Sequence, residues 1–170
     1  MLEAITEAVA NKGYADASVA DVIEIAGVSR RTFYEQFRDK EDCFLTAYDV
    51  LSDRLIEAMT VVSATKSSGP SRRRAQIEKF IAVLAHEPLS ARVFMVDVLG
   101  AGSRALVARE AVNARFALAV LGSTVPAVQR AMIVGAVNAV IVGKLLEGLP
   151  EDLPKMTGAL CTFIEGAIRI

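Results

Sequence analysis

The stretch that most constrains the fold is residues 18–40, SVADVIEIAGVSRRTFYEQFRDK, which predicts two short helices joined by a glycine turn. Ser18 can cap the first helix through its hydroxyl, and Gly27 can adopt the positive φ that ends it. Ser29 can cap the second helix, while Val28 and Phe33 have the spacing of a hydrophobic staple. The sequence therefore specifies both ends of this turn.

The second helix has distinct inward and outward sides. Because Phe33 and Phe37 face inward at i and i+4, a rotation of about 100° per residue turns a mixed polar set outward: Arg31, Thr32, Tyr34, Glu35 and Arg38. Arg30 lies at the exposed amino end of the helix. A guanidinium can donate two hydrogen bonds to O6 and N7 of guanine in the major groove. The alternative, two solvated arginines at a helix amino end, is disfavoured by the helix dipole. This layout is typical of a helix-turn-helix that reads duplex DNA.

The charge of the chain is low for a nucleic-acid binder, with 19 Lys and Arg against 20 Asp and Glu. Residues 1–50 carry five basic and ten acidic side chains, a net charge of −5, although residues 29–40 have a local balance of +2. We therefore expect modest, salt-sensitive attraction to DNA.

The remaining sequence predicts helices and no strand. Helical spacing covers residues 2–12, ending at Gly13, and continues over about 40–64, 72–86, 103–121, 126–147 and 151–168, with a further segment after Pro88. The segment KSSGPS at 66–71 is the clearest break. The apolar run at 131–143 spans about 20 Å, short of a bilayer core of about 30 Å, so we expect no membrane span. The fold class predicted is all-α, with about nine helices.

The run GVSRRTFYEQFRDKEDCF, with KGYADASV upstream, resembles the DNA-binding domain of the tetracycline-repressor (TetR) family of bacterial transcription regulators. The resemblance covers about the first 50 residues. It implies a three-helix DNA-binding domain at 1–48 and a helical effector-binding and dimerisation domain at 49–170. It also places DNA contacts at Ser18, Arg30, Arg31, Thr32, Tyr34, Gln36 and Lys40, of which Ser18, Gln36 and Lys40 would hold phosphates. An intramolecular hydrogen bond is equally open to Gln36.

Three positions depart from the family pattern. Ala20 stands where members often carry a basic residue, Ile23 stands where a small residue is usual, and Glu35 directs a carboxylate outward. Whether Glu35 accepts a hydrogen bond from cytosine N4 or only borders the groove is open.

The resemblance further implies a cytoplasmic regulator, expected to be a repressor, that binds a palindromic operator as a homodimer. The dimer would form through the helices near 126–147 and 151–168, with burial of these helices inside one subunit as the alternative. A small-molecule effector would release the DNA. Candidate lining residues of its pocket, each equally readable as ordinary core, are Phe80, Leu84, Phe94, Met95, Arg109, Asn113, Phe116, Asn138 and Ile141.

Other classes of function find less support. His86 is the one histidine, so no His-pair metal site is expected, and no cofactor or catalytic residue is predicted. Cys43 and Cys161 lie among apolar neighbours and are expected to be buried thiols in a reducing cytoplasm. Two alternatives remain: an all-helical small-molecule binding protein that has lost DNA binding, and a helical-bundle enzyme.

Overall fold

The computed structural model describes residues 1–64 and 69–169 of the chain. Within those ranges it contains nine α-helices and no strand, which confirms the all-α prediction. The helices are α1 (Leu2–Asp16), α2 (Val19–Ala26), α3 (Arg30–Gln36), α4 (Lys40–Ala64), α5 (Pro70–His86), α6 (Pro88–Met95), α7 (Ser103–Leu121), α8 (Ala127–Leu146) and α9 (Leu153–Ile168). Short 3₁₀ turns at Asp97–Gly100 and Pro150–Asp152 follow α6 and α8.

The predicted helix boundaries hold with two differences. The helical backbone is interrupted at Gly13 as predicted, with φ at 79°, but one further turn follows directly and extends α1 to Asp16. The helix expected from 72 begins at Pro70, because proline suits the first turn, where its missing N–H costs no hydrogen bond. Part of the predicted break at 66–71 lies outside the described residues.

Two buried clusters form the interior. The first cluster centres on α1 and α4, with Ile5, Val9, Phe33 and Phe44 almost completely buried. The second cluster fills the space between α5, α8 and α9, with Ile77, Ile81 and Ile141 among its largest members. The first cluster also takes in side chains from α6, α7 and the turn between them: Val93, Val98, Ala101, Ala105 and Val112. The helices of residues 1–48 are therefore packed onto α6 and α7. We call residues 49–170 the regulatory half, after their predicted role.

Helix α8 extends beyond the apolar run at 131–143 on both sides. Its 20 residues correspond to about 30 Å, so by length and composition alone it could cross a membrane. The inner side of the same helix, including Ile133, Val137 and Ile141, is buried in the second cluster. A core helix of a soluble protein passes the same length test, so this feature is weak support for a membrane span.

Candidate nucleic-acid interface

The start of α2 is fixed by a reciprocal cap. The Ser18 hydroxyl accepts a hydrogen bond from the Asp21 backbone N–H at 3.3 Å, and the Asp21 carboxylate accepts one from the Ser18 N–H at 2.8 Å. Lys12 of α1 donates to the same carboxylate at 2.5 Å. These contacts, that of Lys12 first, lower the pKa of Asp21. The predicted cap is thus also a tie between α1 and α2.

The turn between α2 and α3 has the predicted geometry. Gly27 adopts a left-handed conformation with φ at 64°, and the Val28 N–H returns to the Ile23 carbonyl at 3.1 Å. The Ser29 hydroxyl accepts from the Thr32 N–H at 3.1 Å and so caps α3. Together these contacts set the direction in which α3 leaves the turn.

Helix α3 presents its polar side to solvent. Phe33 is fully buried and its ring lies 5.6 Å from that of the partly buried Phe37. Tyr34 is 50% exposed and stands edge-on to the Phe33 ring. The exposed side chains predicted to meet DNA are Arg30, Arg31, Tyr34 and Gln36. Four of the seven predicted contacts are therefore exposed on α3, and we call the exposed part of this helix the α3 face.

The arginines near this face differ in their partners. Arg31 donates from Nε to Glu35 at 2.9 Å, and Arg38 pairs with Asp42 at 3.2 Å. In the part of the chain that the structure describes, Arg30 makes no ion pair or hydrogen bond through its side chain. Arg30 is consequently free to meet a phosphate or a base, whereas Arg31 must first leave Glu35.

The Lys40 ammonium, which was predicted to contact a DNA phosphate, is bonded to backbone carbonyls within the domain. It donates to the carbonyls of Tyr14 at 2.6 Å and Ala17 at 2.8 Å, with Ala15 at 3.4 Å, and it sits 4.3 Å above the Tyr14 ring. These carbonyls lie at the carboxyl end of α1, after the kink at Gly13, and the Lys40 ammonium supplies their hydrogen-bond donor. The geometry favours a structural role for Lys40, and phosphate contact by it stays a prediction.

Ser18 and Thr32, the other two predicted contacts, also have partners within the domain. The Ser18 hydroxyl is exposed but donates to Asp21 at 2.6 Å, and the Thr32 hydroxyl lies 2.9 Å from that of Ser29. Both groups keep a free lone pair or can rotate towards a new acceptor. Their contact with DNA stays a prediction.

Residues 1–47 match the sequence model described as bacterial regulatory proteins, tetR family. The matched range contains α1, α2, α3 and the start of α4, and it includes the α3 face. This part of the chain is a TetR-family DNA-binding domain. This assignment points away from an enzyme.

The fold of the whole chain is shared with solved regulators. It matches the fatty acid degradation regulator FadR from Bacillus halodurans with a TM-score of 0.83 at 16% identity, over 95% of this chain and 94% of that chain. FadR from Bacillus subtilis in complex with stearoyl-CoA gives 0.84 at 18% identity, with the same coverage. A TetR family transcription regulator from Marinobacter aquaeolei VT8 gives 0.71 at 20% identity, over 95% and 92% of the two chains. At these identities the likeness establishes the fold.

The nine residues predicted for an effector pocket do not line one cavity. Leu84 and Phe94 border a cleft of about 60 Å³ between α4, α5 and α6. Phe116 and Asn138 border an almost closed space of about 10 Å³, and Arg109 and Asn113 border a groove of about 180 Å³ between α7 and α8. Phe80, Met95 and Ile141 are buried in the second cluster.

The polar members of that set form a connected group. Asn138, which is buried, donates from Nδ2 to Oδ1 of Asn113 at 3.0 Å, and Asn113 donates to Glu110 at 3.3 Å. Arg109 donates to the same Glu110 carboxylate at 2.9 Å. This network supplies a hydrogen-bond partner for the buried Asn138 amide between α7 and α8. That is a structural role in the core, which is the stated alternative to contact with a ligand.

Cys43 is fully buried, as expected, and burial raises the pKa of its thiol to about 11. Cys161 differs, because it is only partly buried and borders a groove between α5 and α9. In the described residues, no group of three or more His, Cys, Asp and Glu side chains is placed to hold a metal ion.

Proposed function

We propose that this chain binds a near-palindromic operator as a homodimer, with one α3 face in each half-site, and that a small molecule releases it. The observation that carries the proposal is the α3 face, on a capped helix whose Arg30, Arg31, Tyr34 and Gln36 are each exposed. A helix positioned in this way can place side chains against base edges in the major groove. A cytoplasmic location and a repressor role accompany the proposal.

The proposed dimer is supported by an uncovered apolar side of α8 and α9. Val128 and Met132 are 74% and 69% exposed, and Phe163 is 46% exposed. Small exposed residues between them allow close approach of helices: Ala131, Gly135, Ala136 and Ala139 on α8, and Gly158, Ala159 and Gly166 on α9. An exposed apolar stripe of this kind is typical of a self-association surface.

A charge placed on this stripe tests the dimer. We expect wild-type protein to sediment as a dimer at micromolar concentration and Met132→Glu to sediment as a monomer, because the new carboxylate would be buried without a partner. The matched control is Leu89→Glu, which changes another largely exposed apolar residue, 59% exposed, on α6. A monomeric wild type, or a dimer that Met132→Glu leaves intact, would remove this interface.

An effector that binds beside Leu84, Phe94, Phe116 or Asn138 must open the regulatory half. A water molecule occupies about 30 Å³ in the liquid, so the clefts of about 60 and 10 Å³ next to the predicted pocket residues hold little more than water. An effector that fits there would select a conformation in which the helices have separated. Its differential affinity for that conformation would then weaken operator binding. The Bacillus subtilis fold relative holds stearoyl-CoA, which supports a small-molecule effector here.

One observation favours the alternative of a binding protein that has lost DNA binding. The domain is acidic, and Arg31, Arg38 and Lys40 all have partners within the chain. Mobility shifts with genomic fragments at two salt concentrations separate the two functions. We expect a specific band at low salt that weakens at high salt; an absence of any specific band at low salt would favour the alternative.

A further inference from the structure

A groove of about 800 Å³ runs between the DNA-binding helices and the regulatory half. It is bordered by α1, by the middle of α4 and by the start of α6. Leu51, Glu87 and Ser90 border both this groove and the apolar cleft of about 60 Å³ that contains Phe94. The groove and the cleft therefore meet, and a molecule lying in the groove can reach Phe94 from the outside.

Phe94 is the partly buried side chain that packs against both interior clusters. Its ring stacks on Tyr48 of α4, with centroids 4.9 Å apart and an angle of 18° between the planes. The ring centroids of Tyr48 and Phe44 are 6.4 Å apart, and those of Phe44 and Tyr14 are 4.9 Å apart. The ammonium of Lys40 lies over the Tyr14 ring. We call this row of four rings the aromatic ladder; it runs from the cleft to the end of α1.

The groove is lined by apolar side chains and bordered by charged ones. Its base is apolar, with Leu2, Val50, Leu51 and Leu89 among the lining residues. Three exposed carboxylates border it, those of Glu3, Glu7 and Glu87, against the guanidinium of Arg54 and the amino group of Met1. None of these four side chains makes an ion pair within residues 1–64 and 69–169. An aliphatic molecule with a positive head matches both properties, whereas an anionic head would meet three carboxylates.

We infer that an amphiphile with a cationic head and an aliphatic tail binds across this groove, and that its tail displaces the Phe94 ring from Tyr48. The head lies among Glu3, Glu7 and Glu87, and the tail enters beside Leu51 and Leu55. Displacement of Phe94 loosens the aromatic ladder and so shifts α4 and α1 relative to α6. The inference rests on the proposed function and names the class of its effector.

Calorimetry with two probes of equal chain length tests the ligand class. We expect decyltrimethylammonium to bind about 10-fold or more tightly than decanoate, both below their micelle concentrations. Replacing Glu7 and Glu87 together by glutamine should weaken the ammonium probe about 2- to 10-fold, since each carboxylate is exposed and contributes modestly. Glu151→Gln, a distant exposed carboxylate, is the matched control. Equal binding of the two probes, or tighter binding of decanoate, overturns the inference.

A pair of phenylalanine variants tests the displacement of Phe94. We expect saturating decyltrimethylammonium to weaken operator binding by about 10-fold in the wild type, within the usual range of allosteric coupling. Phe94→Leu should still bind the probe but lose the effect on DNA. Phe116→Leu, the same change at the ring that packs on Phe80 at 4.7 Å in the other cleft, should keep it. Loss of coupling in Phe116→Leu alone would overturn the inference.

Two further readouts keep these outcomes distinct. Thermal melts check that both variants fold, and hydrogen exchange on the wild type should show faster exchange in α1 and α4 when the ammonium probe is bound. Unchanged exchange in those helices counts against displacement whatever the variants do. If no duplex binds the protein at all, the proposed function fails; if a duplex binds and the probe never releases it, only this inference fails.

Discussion

Replacing Glu35 by alanine should strengthen operator binding. The Glu35 carboxylate holds the guanidinium of Arg31 at 2.9 Å, in an i,i+4 pair whose side chains are 57% and 89% exposed. An exposed helical pair of this kind contributes about 0.3 to 0.5 kcal/mol. Arg31 must give up that amount before it can donate to a guanine. The structure thus places an internal competitor next to a predicted base-reading residue.

The expected gain follows from the symmetry of the proposed dimer. Two recognition helices each release about 0.5 kcal/mol at most, which gives about 1 kcal/mol or roughly fivefold in affinity. Removal of two negative charges near the phosphates should add to this gain at low salt. Stability should change little, because alanine is the best helix former and the lost pair is at the surface. Fluorescence anisotropy on a selected operator, at two salt concentrations, measures the effect.

The Arg31→Ala background identifies the source of the gain. Arg31→Ala by itself should cost about 1 to 3 kcal/mol of specific binding and leave the fold intact. In that background Glu35→Ala should give only the salt-dependent charge effect, because no guanidinium remains to be released. Weaker binding by Glu35→Ala in the wild-type background would refute this reasoning. It would show instead that Glu35 accepts a hydrogen bond from the DNA, as from cytosine N4.

Two further predictions concern stability. Lys40→Met should lower the melting temperature of the protein, because three carbonyls at the end of α1 lose their donor; a variant that melts like the wild type but loses DNA affinity would show that Lys40 holds phosphate instead. Asp97 lies in the turn after α6, where burial raises the pKa of its carboxyl and Arg92 at 3.9 Å opposes this only partly. A raised pKa in the folded state costs stability as pH rises from about 4 through that pKa, so Asp97→Asn should melt higher than the wild type at pH 7 and equal it near pH 4. A difference that does not change with pH would contradict this explanation.

The parts of the fold that follow from neighbouring residues could be predicted from the sequence. The caps at Ser18 and Ser29 and the left-handed Gly27 depend on contacts within four or five residues, so their pattern is visible in the chain. The outward side of α3 follows in the same way from the inward Phe33 and Phe37. The turn of α1 after Gly13 was not predicted, because glycine permits both a stop and a bend.

Contacts between distant residues could not be predicted in this way. The carbonyls that Lys40 meets lie 23 to 26 residues before it, and Phe94 reaches Tyr48 of α4 across the two clusters. The domain division at residues 48 and 49 stays a prediction, and α4 passes through it without a break. Residues of α6 and α7, including Val93 and Val112, help to bury the first cluster. The local pattern of a helix does not say which partner covers it.

The pocket prediction shows the same limit. The sequence identified apolar residues and two amides on the middle helices, but helical periodicity does not fix how tightly those helices pack. Asn113 and Asn138 are bonded to each other, and the clefts beside Phe94 and Phe116 are small. The groove next to Leu51 was not predicted, because its walls come from α1, α4 and α6 together.

The central proposal, a dimer that presents two α3 faces to DNA, is tested most directly by selecting bound sequences from random duplexes at low salt. We expect an enriched near-palindrome whose half-site centres are separated by one helical turn or a multiple of it, and whose complex contains two copies of the chain. Met132→Glu should lose the two-half-site product. No enriched sequence at low salt, or enrichment of a single half-site by a monomer, would contradict the proposal.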